Sequence, residues 1–244
     1  MSRPLPLYRV RAVNTAPDSE NEIHDDRVAA QYGFRGGLVP GVTVYGYMTT
    51  PIVEHLPEWL EHGSMRVRFL EPFYDGEQVI VRGEVADDGA IHVAAEREDG
   101  SVCAKGIAKI RAADTTEPGW YLENTLPRER PVPERDNLIP GTLLGTLVEK
   151  IDTTEPHRLL LFSNHILMRN FKLGPWIHAA SEVTNWSAAQ PGDEISARGV
   201  IQDRFERKGH EFVVVDVMLI ANESRLLQTV RHTAIYQPAR KAYH

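Results

Sequence analysis

YDGEQVIVRG, residues 74–83, recurs in the second half of the chain as PGDEISARG, residues 191–199. Gly199 stands 116 positions after Gly83, and in both copies a turn of glycine and acidic residues precedes a strand-like run. Corresponding apolar segments follow each copy, at residues 89–95 and 106–110 and again at 209–219 and 231–236. The repeat predicts that the chain contains two copies of one structural unit.

The first copy has the pattern of one long helix followed by several strands. A short strand is predicted over residues 7–14, a short helix over 21–32, and a longer helix over 42–60, which Pro51 kinks or divides. Alternating apolar residues then predict antiparallel strands, separated by Asp-Gly turns. These strands are predicted within residues 65–70, 79–81, 91–95 and 102–110. A long helix next to successive strands indicates the α+β class, with a sheet wrapped on the helix.

The predicted boundaries are a first unit at residues 1–112, a Pro-rich linker at 113–136 and a second unit at 137–244. The second unit lacks a counterpart of the segment from Asn21 to Gly41, so we expect it to act mainly as scaffold. Its central helix is predicted within residues 167–180, although Gly174-Pro175 interrupts that stretch.

Composition excludes several classes of function. The 244 residues carry 27 Lys+Arg against 34 Asp+Glu, a net charge of −7, which argues against a nucleic-acid partner. The apolar runs are too short to span a membrane, and the N-terminus lacks the pattern of a signal peptide. Cys103 is the only cysteine, so a reducing cytoplasm is expected. The scattered histidines have no metal-ligand spacing, and the Gly-rich stretch at residues 33–41 is not a P-loop, so neither a metal nor a cofactor is expected.

One motif in the first unit carries more specific information. Asn21-Glu22-Ile23-His24 is followed by Ala30, Gly33-Phe34 and Pro40-Gly41. This series resembles the MaoC-like branch of hot-dog-fold proteins, which includes (R)-specific enoyl-CoA hydratases. Phe69, Pro72, Gly76 and Glu77 are similar to the strand that follows the central helix in that family. The resemblance implies a double hot dog, in which two antiparallel sheets, each wrapped on a central helix, pair into one continuous sheet.

The resemblance also implies a catalytic pair. In the hydratases, a histidine and an aspartate five residues before it activate water, and His24 matches the histidine. Ser19 occupies the aspartate position, so Asp18, one residue earlier, is the predicted partner. Asn21 matches the family's asparagine and is predicted to bind substrate.

A helix N-terminus supplies the second requirement of this chemistry, polarisation of a carbonyl, through its unpaired N–H groups. The backbone N–H of Gly41 or Val42 is the predicted donor. Val44, Tyr45 and Met48 are expected to line the acyl site, with Trp176 and Trp186 as candidates to close it.

The sequence leaves three functions open. The first is a hydro-lyase of fatty-acid metabolism that hydrates or dehydrates an acyl thioester of CoA or of an acyl carrier protein. The second is an acyl-CoA thioesterase, and the third is a non-catalytic acyl-binding protein, because the hot-dog fold hosts all three. The sequence does not decide between a monomer and a homo-oligomer.

Overall fold

The computed structural model describes residues 3–113 and 115–240. The first unit forms β1 (Arg3–Pro4), β2 (Tyr8–Arg11), a 3₁₀ helix (Glu22–His24), α1 (Asp26–Gln31), α2 (Gly41–His55), α3 (Trp59–His62), β3 (Gly63–Phe69), β4 (Gln78–Val85), β5 (Ile91–Glu96) and β6 (Val102–Ile110). The second unit forms β7 (Leu147–Lys150), α4 (Pro156–Asn170), β8 (Ile177–Asn185), β9 (Glu194–Arg207), β10 (His210–Ala221) and β11 (Arg225–Gln237). The α+β class is therefore confirmed.

The strands of both units belong to one antiparallel sheet. Its order is β1-β4-β5-β6-β3-β8-β11-β10-β9-β7, and β2 pairs with β4 at one end. The units meet where β3 pairs with β8, from Ser64 opposite Thr184 to Arg68 opposite Ala180. Around this junction, β6, β5 and β4 on one side mirror β11, β10 and β9 on the other. The internal repeat is therefore a structural repeat.

The two central helices pack against one face of this sheet and share a core. Tyr45, Met48 and Ile52 of α2 are fully buried, as are Leu160 and Ile166 of α4. These side chains belong to one apolar cluster that spans both units. Because burial of apolar surface is the main favourable term in folding, this shared core means that each unit stabilises the other.

The central helix of the first unit runs without division from Gly41 to His55, and Pro51 lies inside it. The helix ends at His55, and the next residue, Leu56, has non-helical φ and ψ values of −140° and 73° and precedes Pro57. A residue before proline disfavours the helical region, which explains the position of this end. The predicted end at residue 60 was wrong because α3 is a separate short helix.

The central helix of the second unit also differs from the prediction. We expected it within residues 167–180, but α4 spans Pro156–Asn170, and Gly174-Pro175 lies in the connection to β8. The buried face of α4 includes Ser163, Asn164 and Asn170. These polar residues interrupt the apolar period by which a helix is recognised, and Pro156 marks its first turn.

The segment between β6 and β7 contains no strand or helix among its described residues, apart from an isolated bridge between Leu143 and Val200. Leu138 and Leu144 are nevertheless buried in the core. The domain boundaries predicted around this Pro-rich segment stay a prediction. Within the described chain, every helix is too short or too polar to cross a membrane.

Candidate functional site

The connection between β2 and α2 places His24 beside the start of the central helix. Asp25 begins α1 by accepting hydrogen bonds from the backbone N–H groups of Arg27 and Val28, at 2.9 and 3.0 Å. The chain then returns past His24 through Gly37, where a Cβ atom would lie 2.0 Å from the His24 carbonyl oxygen. Only glycine permits this approach, which brings the Leu38 carbonyl to the His24 ring.

The His24 ring is held by two contacts that define the same tautomer. Nδ1 lies 2.6 Å from the carbonyl oxygen of Leu38. Because a carbonyl only accepts, Nδ1 carries the proton and Nε2 is the bare nitrogen. Nε2 lies 3.2 Å from Nδ2 of Asn21.

The orientation of the Asn21 amide supports this assignment independently. Its Oδ1 accepts from the backbone N–H of Trp176 at 3.0 Å, and its Nδ2 donates to the Trp176 carbonyl, also at 3.0 Å. The Trp176 N–H fixes which end of the amide is oxygen, so the NH₂ group faces His24 Nε2. Asn21 therefore orients the His24 ring and ties it to the second unit.

Burial lowers the pKa of His24, and the hydrogen bond to the Leu38 carbonyl partly opposes that shift. Protonation of Nε2 would also place an N–H against the NH₂ group of Asn21. His24 is therefore held neutral near pH 7, with a lone pair on Nε2 that can accept a proton.

A cavity of about 290 Å³ lies between the two units beside this histidine. Its polar lining comprises Asn21, His24, Glu71, Asn164, His178 and His210. Its apolar lining includes Phe34, Leu38, Val44, Phe69, Phe73, Trp176 and Ile177. An apolar pocket with a few convergent polar groups is the usual form of a small-molecule site. A wider groove of about 1070 Å³ crosses the outer sheet face along Arg66, Arg82 and Lys105, away from His24 and Gly41.

The N-terminus of α2 forms part of the cavity wall at Gly41. The amides of Thr43 and Val44 bond to the Pro40 carbonyl, at 2.9 and 3.2 Å. The amides of Gly41 and Val42 precede them in the first turn, where the helix offers no acceptor. Gly41 leaves space here, since a Cβ would meet Nδ1 of His178 at 3.0 Å. Val42 has a buried side chain that does not line the cavity, so only its N–H fits the predicted role.

The structure brings together four of the five predicted site residues, namely Asn21, His24, Gly41 and, through its backbone, Val42. Asp18 is separate from them. It lies exposed in a turn and is not among the cavity-lining residues. At the aligned position, Ser19 donates to the carbonyl of Asn21 at 3.2 Å. The geometry therefore gives no support to the predicted pairing of Asp18 with His24.

Sequence reasoning missed polar residues of the second unit that line the cavity, and it missed the support that the Trp176 backbone gives to Asn21. His178 lies on β8 against Gly41, Asn164 lies on α4, and the Trp176 backbone holds Asn21. Trp176 also lines the cavity as expected, as does Val44. Tyr45, Met48 and Trp186 do not. In the described part of the chain, no three His, Cys, Asp or Glu side chains are grouped closely enough to hold a metal ion.

Neither a protein-family model nor a curated protein matches the sequence. Solved structures do match it, and they define the chain as a double hot-dog fold, which confirms the predicted architecture. A conserved hypothetical protein from Mycobacterium tuberculosis, described as having a double hot-dog fold, superposes with a TM-score of 0.65 at 12% identity, covering 95% of this chain and 96% of its own.

Two further neighbours carry names that indicate activity. A protein of Chloroflexus aurantiacus J-10-fl, provisionally described as a MaoC domain protein dehydratase, matches with a TM-score of 0.62 at 11% identity over 98% of this chain and 95% of its own. A protein of Thermobifida fusca YX, provisionally described as a thioesterase II, matches with a TM-score of 0.59 at 14% identity over 96% of this chain and 92% of its own. At these identities the matches establish the fold and not the activity.

Proposed function

We propose that this protein is a hydro-lyase that adds water to an enoyl thioester, or removes it from a 3-hydroxyacyl thioester, with CoA or an acyl carrier protein as carrier. One observation carries the proposal. The bare Nε2 of a neutral histidine, His24, lies in the wall of the same cavity as the helix N-terminus at Gly41. A proton acceptor and a carbonyl-polarising group therefore share one enclosed site.

The two groups divide the reaction between them. The thioester carbonyl accepts hydrogen bonds from the N–H groups of Gly41 and Val42, which draws electrons from the β-carbon and stabilises the enolate. Water that displaces the 3.2 Å contact of Asn21 donates a proton to His24 Nε2 while its oxygen bonds to the β-carbon. The π electrons move to the carbonyl oxygen. The His24 imidazolium then returns a proton to the α-carbon, so that H and OH have been added.

The wall of the cavity fits an acyl chain. Val44 and Phe73 come from the first unit and Trp176 and Ile177 from the second, so an acyl group is enclosed by apolar side chains of both. Glu71 also lines the cavity, but it is exposed and its carboxylate lies 2.8 Å from Arg97. The proposal therefore assigns the proton transfers to His24 alone.

The experiment is a paired assay of the wild type and His24→Ala on a panel of enoyl-CoA thioesters of increasing chain length. Double-bond absorbance and free thiol are followed in the same wells. We expect absorbance to fall without thiol release, and His24→Ala to slow the reaction by about 10²-fold or more. His55→Ala, at the exposed far end of α2, is the matched control and should react at the wild-type rate.

Two outcomes overturn the proposal. Thiol release that depends on His24 identifies a thioesterase. Silence in both channels from folded protein that still binds the thioesters identifies an acyl-binding protein.

A further inference from the structure

The second unit contains a buried chain of polar side chains that the proposed reaction does not use. His178 on β8 is 6% exposed, Ser181 on the same strand 1%, and His232 on β11 is fully buried. His178 Nε2 lies 2.8 Å from Ser181 Oγ, which lies 3.3 Å from His232 Nδ1. The two imidazole rings are 4.4 Å apart between centroids. Three connected polar side chains are thus enclosed next to the cavity.

This chain ends at the cavity in an unsatisfied nitrogen. His178 lines the cavity, and its Nδ1 is buried without a well-formed hydrogen bond in the described structure. Buried polar atoms are generally paired, because leaving one unpaired costs free energy. Nδ1 lies 3.0 Å from the position that a Cβ of Gly41 would take. It therefore faces the same end of α2 where Gly41 and Val42 have free N–H groups.

We propose that His178 Nδ1–H binds the carbonyl oxygen of the acyl thioester together with the N-terminus of α2, and that Ser181 and His232 hold His178 in the tautomer that makes this possible. The inference rests on the proposed function for the class of ligand, an acyl thioester, but not for the reaction. His178 is then a binding residue contributed by the second unit. Ser181 and His232 are positioning residues.

The direction of the hydrogen bonds follows from the neighbouring donors. The N–H groups at the start of α2 only donate, so the ligand atom that they bind is an acceptor. A bare Nδ1 would set a lone pair against that acceptor, whereas Nδ1–H adds a donor. With Nδ1 protonated, the neutral ring has a bare Nε2, which accepts from the Ser181 hydroxyl. Ser181 in turn accepts from His232 Nδ1–H, so this arrangement satisfies both contacts in the chain. The reversed arrangement also satisfies them, but it leaves the lone pair of His178 Nδ1 facing the acceptor of the ligand.

Both rings are neutral in this arrangement. Burial lowers the pKa of His178, the nearby His232 lowers it further, and a backbone contact with Ala180 acts in the opposite direction. Burial also lowers the pKa of His232 to about 3. The hydroxyl of Ser181 accepts from one ring and donates to the other, so it couples the two tautomers: a protonated His232 Nδ1 goes with a bare His178 Nε2 and a protonated His178 Nδ1.

Binding measurements test the carbonyl contact without requiring turnover. The probes are butyryl-CoA and S-butyl-CoA, a thioether that lacks the carbonyl, titrated calorimetrically against the whole protein. We expect the wild type to prefer the thioester, and His178→Phe to weaken butyryl-CoA binding about fivefold to tenfold while leaving S-butyl-CoA binding unchanged. His157→Phe is the matched control, because His157 packs against Gly46 as His178 packs against Gly41, yet it lies outside the cavity lining.

A spectroscopic measurement tests the role of Ser181 and needs no variant for its first result. In protein with ¹⁵N-labelled histidine, saturated with butyryl-CoA, the nitrogen shifts of His178 should show a protonated Nδ1 and a bare Nε2. Ser181→Ala should convert His178 to a mixture of tautomers. The tautomer of His24, which the Leu38 carbonyl fixes, should stay unchanged in the same spectrum.

The results separate this inference from the proposed function. A wild type that does not prefer thioester over thioether overturns the inference, as does an Nε2-protonated His178. A preference that His178→Phe leaves intact overturns it too, even if His24-dependent hydration is observed. Conversely, a carbonyl preference that depends on His178, in protein that never hydrates an enoyl-CoA, supports the inference and refutes the proposed reaction.

Discussion

The two central helices begin in different surroundings although they belong to repeats of one unit. At the start of α2, next to Gly41, lies a cavity of about 290 Å³. At the start of α4, next to Pro156, lies a void of only about 20 Å³. Leu60, Leu159 and Asn185 are among the side chains that surround this void. Of the N-termini of the two central helices, the one at α2 has space for a ligand beside it and the one at α4 does not.

The connection before each helix explains the difference. In the first unit, residues 12–40 separate β2 from α2 and include the 3₁₀ helix with His24. In the second unit, residues 151–155 join β7 directly to α4. The sequence-based prediction that the second unit lacks this segment is therefore confirmed. The longer connection carries His24 to the start of α2, whereas side chains fill most of the space at the start of α4.

The largest effect is expected from a pair of asparagines that make similar bonds in the two units. Asn21 bonds to the N–H and carbonyl of Trp176, and Asn170 bonds to the N–H and carbonyl of Gly145, at 2.6 and 2.9 Å. Replacing either with alanine leaves two buried backbone groups unpaired. We expect each variant to lose about 2–4 kcal/mol in the free energy of unfolding, measured by urea titration.

Activity distinguishes the two asparagines. Asn21→Ala also releases the His24 ring, so its kcat/KM for an enoyl-CoA should fall at least about tenfold, measured at a temperature where both variants are folded. Asn170→Ala should retain wild-type kcat/KM. Equal losses of activity in the two variants would show that the units do not differ in function as proposed.

The next effect concerns two glycines on the same helix. A Cβ at Gly41 would lie 3.0 Å from His178 Nδ1, and a Cβ at Gly46 would lie 3.1 Å from His157 Nδ1. An added methyl group would therefore crowd a histidine to a similar degree at both positions. Alanine also has a higher helix propensity than glycine at both, by about 0.5–1 kcal/mol. Only Gly41 lines the cavity. We expect Gly41→Ala to lower kcat/KM by about tenfold or more, and Gly46→Ala to change it by less than about twofold.

Thermal melts of both glycine variants complete that comparison, since they separate loss of fold from loss of function. If Gly46→Ala loses as much activity as Gly41→Ala at equal stability, the start of α2 has no special role.

The fold could be predicted from the sequence because its strongest signals are local. Glycine turns at Gly76 and Gly192, both with positive φ, precede equivalent strands, and their spacing reveals the repeat. The start of α4 was missed because Ser163 and Asn164 on its buried face interrupt the apolar pattern. Asn164 lines the cavity between the units, a placement that the sequence of α4 alone does not reveal.

Apart from Trp176, the site was predicted only where it is local in sequence. Asn21, His24 and Gly41 belong to one connection, and their order carries the resemblance. Trp176 and His178 reach the cavity only because β3 pairs with β8. No sequence pattern in one unit specifies that pairing across the junction, so nothing in the sequence marks His178 as a cavity residue.

Acid stability should show a smaller effect, to which two histidines of the second unit contribute beside His24 of the first. His178 and His232, both in the second unit, are buried and neutral, and burial lowers the pKa of each. Below about pH 6.5, the usual pKa of histidine, both side chains are protonated in the unfolded chain but stay neutral in the folded one. The free energy of unfolding therefore falls as the pH falls. For His232 this loss continues to about pH 3, at about 1.4 kcal/mol per pH unit.

Urea unfolding between pH 7.5 and pH 5 measures this slope. His232→Leu should reduce it by about 1.4 kcal/mol per pH unit, and the exposed control His55→Leu should not change it. An unchanged slope in His232→Leu would mean that His232 is not held neutral in the folded protein.

The smallest effect is expected at the residue that the sequence placed in the catalytic pair. Asp18 is exposed in a turn outside the cavity lining, whereas His24 is enclosed with its bare nitrogen beside Asn21. A carboxylate takes part in proton transfer only within hydrogen-bond reach of the reacting groups. Asp18→Asn should therefore keep kcat/KM for enoyl-CoA within about twofold of wild type. A loss of tenfold or more would mean that the connection before α2 rearranges when substrate binds, bringing the aspartate to His24 and restoring the two-residue mechanism that the resemblance implies.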